Sequence, residues 1–335
     1  MTKDLFTTID PPKRIKPMPA GSPVYVSYGA GVDSTAMLIA LRDHGIVPDL
    51  ITFSDTGGEK PDTYEYINTM NNWCRENGFP EINIVRKKTT DRVEYNDLYG
   101  NCFDNETLPS LAFGMKSCSI KWKADAINYS IKGCSRGPNK CDPHPSWTAA
   151  VEAGIKAVTM IGYDSSPADL KRVSKFAHET DDFYYSFPLV DMGWKREDCV
   201  KRILEEGLPV PMKSACYFCP ASKKWELWWL AGHHPDLLEK ALLMEHKAMV
   251  GRHSRFDVAE FGDDWLSLVK GGKSFPSSNT TVGLGRSFAW NHWARVNKVI
   301  DDSGKVIIDP DYAKARAVAD MGDGSGNAMD IRACA

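Results

Sequence analysis

No apolar run in this 335-residue chain approaches the roughly 18 residues a helix needs to cross a bilayer, which excludes a helical membrane protein. The opening MTKDLFTTIDPPKRIKPMPAGS has no apolar core of the kind a secretory signal carries, so a cytoplasmic protein without a membrane partner is expected. Charge of one sign is also lacking: 41 Lys and Arg stand against 44 Asp and Glu, a formal net charge of -3. That balance excludes wholesale wrapping of a polyanion and leaves only a local basic groove. A hydrophobic content of 42% with 25% charged residues excludes a disordered chain. There is no internal repeat, no H-E-x-x-H, no G-x-x-x-x-G-K-[ST] and no G-x-G-x-x-G. Nine cysteines are an odd number in a chain too long to be a disulfide-stapled scaffold. In a cytoplasmic setting they read as thiols or metal ligands.

What is present is an alternation. Val24 to Tyr28 (VYVSY) is β-branched and aromatic, and predicts a short buried strand broken by Gly29-Ala30-Gly31. Asp33-Ser34-Thr35 follows, and helical character over Ala36 to Arg42 ends near Gly45. Asp49 to Ser54 predicts a second strand, which runs into Asp55-Thr56-Gly57-Gly58. Asp62 to Asn77 predicts a helix stopped by Gly78, and Ile82 to Val85 a third strand. Ala157 to Ile161 and Tyr184 to Phe187 are later strands. The alternation implies an α/β fold with a Rossmann-like, mostly parallel sheet and a helical C-terminal elaboration. Gly133 to Trp147, rich in Gly, Pro and Asn, reads as an inserted loop, and the Gly-rich C-terminus as a mobile tail.

A strand that ends in a Gly-rich turn and opens into a helix has a physical use. Glycines let the backbone bring its N–H groups close to a ligand, and the helix N-terminus favours an anion there. Ser34 and Thr35 add hydroxyl donors, and Asp33 either caps the helix or organises a metal beside phosphate. A plain strand-to-helix turn capped by Asp33 accounts for the same residues. Gly29 to Thr35 resembles the S-G-G-x-D-S loop of the PP-loop ATP pyrophosphatase (adenine nucleotide α-hydrolase) superfamily, with Gly29 at the leading Ser and Ala30 at the first Gly. Phe53 to Ile67 (FSDTGGEKPDTYEYI) resembles the F-x-D-T-G-x-x-x-P-E-T-Y segment of its phosphoadenosine phosphosulfate (PAPS) reductase-like branch. The resemblance implies ATP, or an adenylyl sulfate (PAPS or APS), with Mg²⁺ on the phosphates. It would place the nucleotide on Ser27, Gly29, Ala30, Gly31, Val32, Asp33, Ser34 and Thr35, and on Asp55, Thr56 and Gly57. Gly162 to Arg172 resembles the branch's G-x-R-x-x-E-S-x-x-R segment with Asp164 at the Arg, so only Arg172 carries over.

Cys216-Tyr217-Phe218-Cys219 is a C-x-x-C, whose spacing lets two sulfurs converge on a metal or cluster or form a redox dithiol. Cys118 is flanked by Lys116, Lys121 and Lys123, cations that favour a thiolate and attract phosphate or sulfate. A buried structural Cys118, and a zinc knuckle completed by Cys134, Cys141 or His144, are the bland alternatives. The pattern resembles the cluster-bearing members of the branch, with Cys118 and Lys121 at the first element and Cys216 and Cys219 at the second. That implies three ligands on a [4Fe–4S] cluster, with one iron left open, as in the ATP-dependent thiolation enzymes of the superfamily. Catalytic roles would fall on Asp33, Cys118 and Lys121. Trp225, Trp228 and Trp229 recur at helical spacing and read as helix core. Glu59 and Asp62 read as a magnesium-binding acid pair or as solvated charges, and Cys334 as incidental.

The expected organisation is an arm over 1–22 and a nucleotide-binding domain over 23–215 with its insertion near 133–147. A C-x-x-C and helical region follows over 216–270, then an irregular segment over 271–335. The resemblance implies a sulfurtransferase working with an adenine nucleotide and a sulfur donor, on a nucleic-acid or small-molecule acceptor. Two alternatives stay open: a PAPS or APS reductase that uses a thiol reductant and releases sulfite, and a non-catalytic nucleotide-binding module with structural zinc. A homodimer is among the assemblies the sequence leaves open.

Overall fold

The computed structural model describes residues 14–115, 117–250, 283–285 and 288–322. Most of the expected arm, Lys116, Cys334, residues 251–270 of the expected helical region, and residues 271–282, 286–287 and 323–335 of the C-terminal segment lie outside the described residues. Five strands form one parallel sheet: β1 (Val24–Tyr28), β2 (Leu50–Asp55), β3 (Ile82–Arg86), β4 (Ala157–Ile161) and β5 (Phe183–Ser186). Their order is β3-β2-β1-β4-β5, with Tyr28 beside Phe53 and Ser27 beside Ile161. The order reverses between β1 and β4, so the carboxyl end of β1 lies at the switch point where open α/β sheets bind ligands.

The helices, in chain order, start with α1 (Val32–Asp43), α2 (Pro61–Glu76), α3 (Leu98–Asp104), α4 (Ser117–Ser119) and α5 (Asp125–Lys132). Then come α6 (Pro145–Glu152), α7 (Pro167–Val173), α8 (Pro188–Met192) and α9 (Arg196–Glu205). The described helices end with α10 (Lys224–His233), α11 (Pro235–Val250), α12 (Trp290–Val296) and α13 (Pro310–Gly322). The first helix begins four residues earlier than its apolar run suggests, because Gly31 is the N-cap residue and Val32 to Ser34 form the first turn. Asp33 is therefore inside the helix and not its cap. The expected insertion is only partly a loop: Pro145 opens α6, a position that tolerates proline since its missing N–H has no partner there.

Two compact units divide the chain. The first comprises Met1–Phe53, Tyr66–Asn83 and His144–Met212, and the second Ser54–Glu65, Ile84–Pro143 and Lys213–Ala335. In the first, β1 and β4 are almost wholly buried, and α1 buries every residue from Ser34 to Leu41 while packing on α8 and α9. A helix apolar on all sides belongs between layers. In the second, α10 packs on α11 and α13; of the three tryptophans expected in its core Trp225 and Trp228 are buried, while Trp229 is only half-buried. Trp228 meets Trp293 edge to face at 4.9 Å between centroids.

Candidate functional site

In the first unit the loop after β1 is held by its own side chains. Ser34 Oγ accepts from the Gly31 N–H at 3.2 Å and donates back to the Gly31 carbonyl at 3.1 Å. Thr35 is fully buried, with its hydroxyl 3.2 Å from that of Tyr28. The expected hydroxyl donors are thus engaged within the loop. The first-turn amides of Val32, Asp33 and Ser34 have no carbonyl ahead of them in the helix and remain the donors an anion can use. Ser27 is half-buried and Gly29 is exposed. Gly162, just after β4, comes so close that a Cβ there would lie 3.0 Å from the Ser34 nitrogen. Its lack of a side chain lets the β4 loop approach the first turn of α1.

Asp33 accepts from Arg196 at 3.0 Å through Oδ2, while its Oδ1 is buried without a hydrogen-bond partner. Burial raises its pKa to about 6 against the pull of Arg196, and Asp164 and Asp169 add to the rise. Arg172 is turned onto its own loop: it donates to Asp169 at 2.7 Å and its guanidinium lies 5.9 Å from the Tyr163 ring centre. Ser166 caps α7 by accepting from the Asp169 N–H at 3.4 Å.

The second unit holds the turn after β2 and the cysteines. Asp55 Oδ1 accepts from the Gly57 N–H at 2.7 Å and from the Tyr64 hydroxyl at 2.9 Å, while Oδ2 is ion-paired with Arg86. Its carboxylate shapes the turn. Gly57 has φ +77°, and a Cβ there would lie 2.4 Å from Asp97 Cβ; one on Gly58 would lie 2.4 Å from Phe218 Cε1. The turn in turn carries the C-x-x-C: the Tyr217 N–H donates to the Gly58 carbonyl at 2.8 Å, and the Thr56 hydroxyl lies 2.9 Å from Cys216 Sγ. Glu59 is buried, accepting from Lys123 at 3.0 Å, and Asp62 lies 2.8 Å from His234 Nε2. Glu59 and Asp62 are therefore committed to different partners, neither forming a joint acid pair nor, for Glu59, facing water.

Cys118 starts from an N–H bonded to Ser110 Oγ at 2.9 Å and is followed by a π-helical turn over Ile120–Ala124. Such turns are often found at functional positions. Cys118, Cys216 and Cys219 line one cavity of about 240 Å³, together with Thr56, Lys123 and Lys213. Lys121 lines an adjoining cavity of about 350 Å³ that also reaches Cys118. Lys213 donates to the buried Glu226 at 2.6 Å, so both ammonium groups on the smaller cavity have buried counter-charges. Burial pushes the Cys216 and Cys219 thiols up, and Glu59 adds to the rise at Cys216 while Lys123 opposes it. Among the described residues no three His, Cys, Asp or Glu side chains form a group that could hold a single metal ion. Arg196, Gly162 and the Thr56–Cys216 contact escape sequence reasoning, since each acts across more than a hundred residues, and Lys213, bonded to Glu226 13 positions on, stands in no motif.

Among solved structures the chain is similar to the U34-tRNA thiolase NcsA from Methanococcus maripaludis with its [4Fe-4S] cluster. Identity is 14%, with 72% of this chain and 80% of that one covered, at a TM-score of 0.35. No protein-family model matches, and no curated protein does either.

Proposed function

We propose that the chain is a PP-loop-type enzyme that spends ATP to transfer sulfur to an acceptor. The observation that carries this reading is the cavity on which Cys118, Cys216 and Cys219 meet Lys123 and Lys213. Three thiols on one cavity make a donor set suited to an iron–sulfur cluster, beside two Lys–Glu pairs, Lys123 with Glu59 and Lys213 with Glu226, that polarise the cavity wall. A single zinc ion needs sulfurs drawn within about 2.3 Å of one point. A cluster takes its cysteines at separate iron corners, which suits thiols that share a cavity without converging on one ion. When bound, the cluster would supply redox-active iron and a coordination position not taken by protein sulfur.

The remaining roles belong to the chain's own residues. First-turn amides of α1 would bind the phosphates and stabilise the charge of departing pyrophosphate as the acceptor is adenylated. Asp33 Oδ1, buried and unpartnered in the first turn of α1, is the atom left for a cation or water, and Arg196 holds that carboxylate in place. Lys121, on the cavity adjoining Cys118, would orient an anionic portion of the acceptor.

Anaerobic purification of wild type and Cys118→Ala, with iron, sulfide and zinc content and the visible spectrum, tests the cluster. The expected wild type is brown, with a broad band near roughly 400 nm that the substitution weakens. Bulk tRNA, ATP and sulfide should then yield AMP and pyrophosphate. Sulfite release from an adenylyl sulfate without ATP would instead establish the reductase. Colourless protein with stoichiometric zinc would end the sulfur-transfer reading.

A further inference from the structure

We propose that Cys134 and Cys141 form a reversible disulfide that staples the neck of the loop over residues 133–143. The two residues face each other in an isolated antiparallel bridge. The Cys134 N–H donates to the Cys141 carbonyl at 2.9 Å, and the Cys141 N–H returns a bond to Cys134 at 3.0 Å. Residues that exchange both bonds have Cα atoms about 5.5 Å apart and Cβ atoms also about 5.5 Å apart, at the wide end for facing residues. The first value lies inside the disulfide range of about 4.4–6.8 Å, and the second about 1 Å beyond the usual Cβ range of about 3.5–4.5 Å. Closing the bond therefore takes a shift of the two backbone segments that draws the Cβ atoms about 1 Å closer.

The thiols are accessible and weakly held. Cys134 is half-buried and Cys141 exposed. Their S–H groups donate only to the Arg136 carbonyl at 3.2 Å and the Tyr129 carbonyl at 3.3 Å. The neck is already drawn together: Gly133 has φ +74°, and a Cβ on it would lie 2.7 Å from the Pro143 nitrogen. At the tip, Asn139 accepts from the Lys88 N–H at 2.8 Å and donates to the Lys88 carbonyl at 3.0 Å. Lys88 follows Arg86, which is paired with Asp55, and Lys87, whose ammonium lies 5.2 Å from the Trp122 ring centre. A staple at the neck thus secures a loop whose tip grips the segment next to the cavity wall.

The oxidant is a small disulfide such as oxidised glutathione. The Cys141 thiolate attacks one of its sulfurs, forming a mixed disulfide and releasing one glutathione thiol. The Cys134 thiolate then attacks Cys141 Sγ and expels the second. Two protein thiols are oxidised, one glutathione disulfide is reduced to two thiols, and the two protons lost by the protein thiols end on the two glutathione thiols. Because the new bond pulls the Cβ atoms closer than the bridge spacing, it is strained and easily reduced.

The test uses the full chain, oxidised with glutathione disulfide, trapped with N-ethylmaleimide and mapped by tryptic peptide mass. Wild type should give the Cys134 and Cys141 peptides joined to each other, and excess reduced glutathione should release both. In Cys134→Ser, the glutathione adduct on Cys141 should accumulate at least about tenfold above wild type, since nothing resolves it. Cys141→Ser should show no joined peptide. Wild type that carries separate glutathione adducts on both cysteines, or as much adduct on Cys141 as Cys134→Ser, overturns the proposal. These readouts do not depend on sulfur transfer.

Discussion

Ala30 has φ +53°, in the left-handed region that L-residues enter at a cost of roughly 1–2 kcal/mol. The turn from β1 into α1 imposes it, and the residue is only 1% exposed. Glycine would relieve the backbone but lose a buried methyl, worth about 0.8 kcal/mol, and loosen the unfolded chain by about 0.4–1 kcal/mol. Ala30→Gly should therefore stay within about 1 kcal/mol of wild type in urea unfolding. Ala30→Val adds bulk to a packed position in a conformation a β-branched residue avoids, and should lose about 3 kcal/mol or more. Equal midpoints for the two variants would show that the turn is not constrained as described.

Among the elements, α11 and α12 are joined through one carboxylate. Glu245, buried, accepts from the N–H groups of Leu284, Trp290 and Asn291 at 2.6, 2.8 and 2.7 Å, and from the Asn291 side chain at 2.8 Å. It closes the open N-terminus of a seven-residue helix too short to hold itself. A Cβ on Gly283 would lie 2.5 Å from Glu245 Oε1, which is the reason for glycine at that position. Glu245→Ala leaves several buried donors unsatisfied and should cost about 3–5 kcal/mol, measured by denaturant midpoint. A loss under 1 kcal/mol would mean water replaces the carboxylate freely. In the first unit Glu206 does similar work, ion-paired with Arg42 and accepting from Trp73 Nε1 at 2.9 Å, which ties α9 to α1 and α2.

For the whole molecule, Asp33 and Glu206 set opposite pH dependences. The raised pKa of Asp33, about 6 against 3.8, makes the folded state the better proton binder. Its contribution is most favourable below about pH 4 and is lost as pH rises through about 6, a change of about 2–3 kcal/mol at most. Glu206 behaves the other way. Burial raises its pKa, but hydrogen bonds from Arg42 and Trp73 outweigh that and bring it to about 2, so its stabilisation is lost as pH falls from about 4.5. Asp33→Asn keeps an acceptor for Arg196 and removes the buried charge. It should raise stability by about 2 kcal/mol at pH 7.5 and by little at pH 4.5, measured by urea unfolding at both values. An equal gain at both would assign the effect to packing rather than charge.

The order of strands and helices was legible in the amino-acid sequence because period-two and helical patterns, with Gly and Pro at their ends, are local properties of the backbone. The Gly-rich turn after β1 and the C-x-x-C were legible for the same reason. Element ends were less so: α1 began at Val32 because the chain could turn at Gly31, and not where its apolar run started. Tertiary structure alone decided which groups met. Asp33 found Arg196 across 163 positions, and Thr56 found Cys216 across 160, through packing that no local period encodes. Packing also spent the Ser34 and Thr35 hydroxyls within the loop and gave Asp55 to Arg86, Tyr64 and Gly57. Local chemistry named the candidate residues; the buried contacts between distant segments determined the partner each one has.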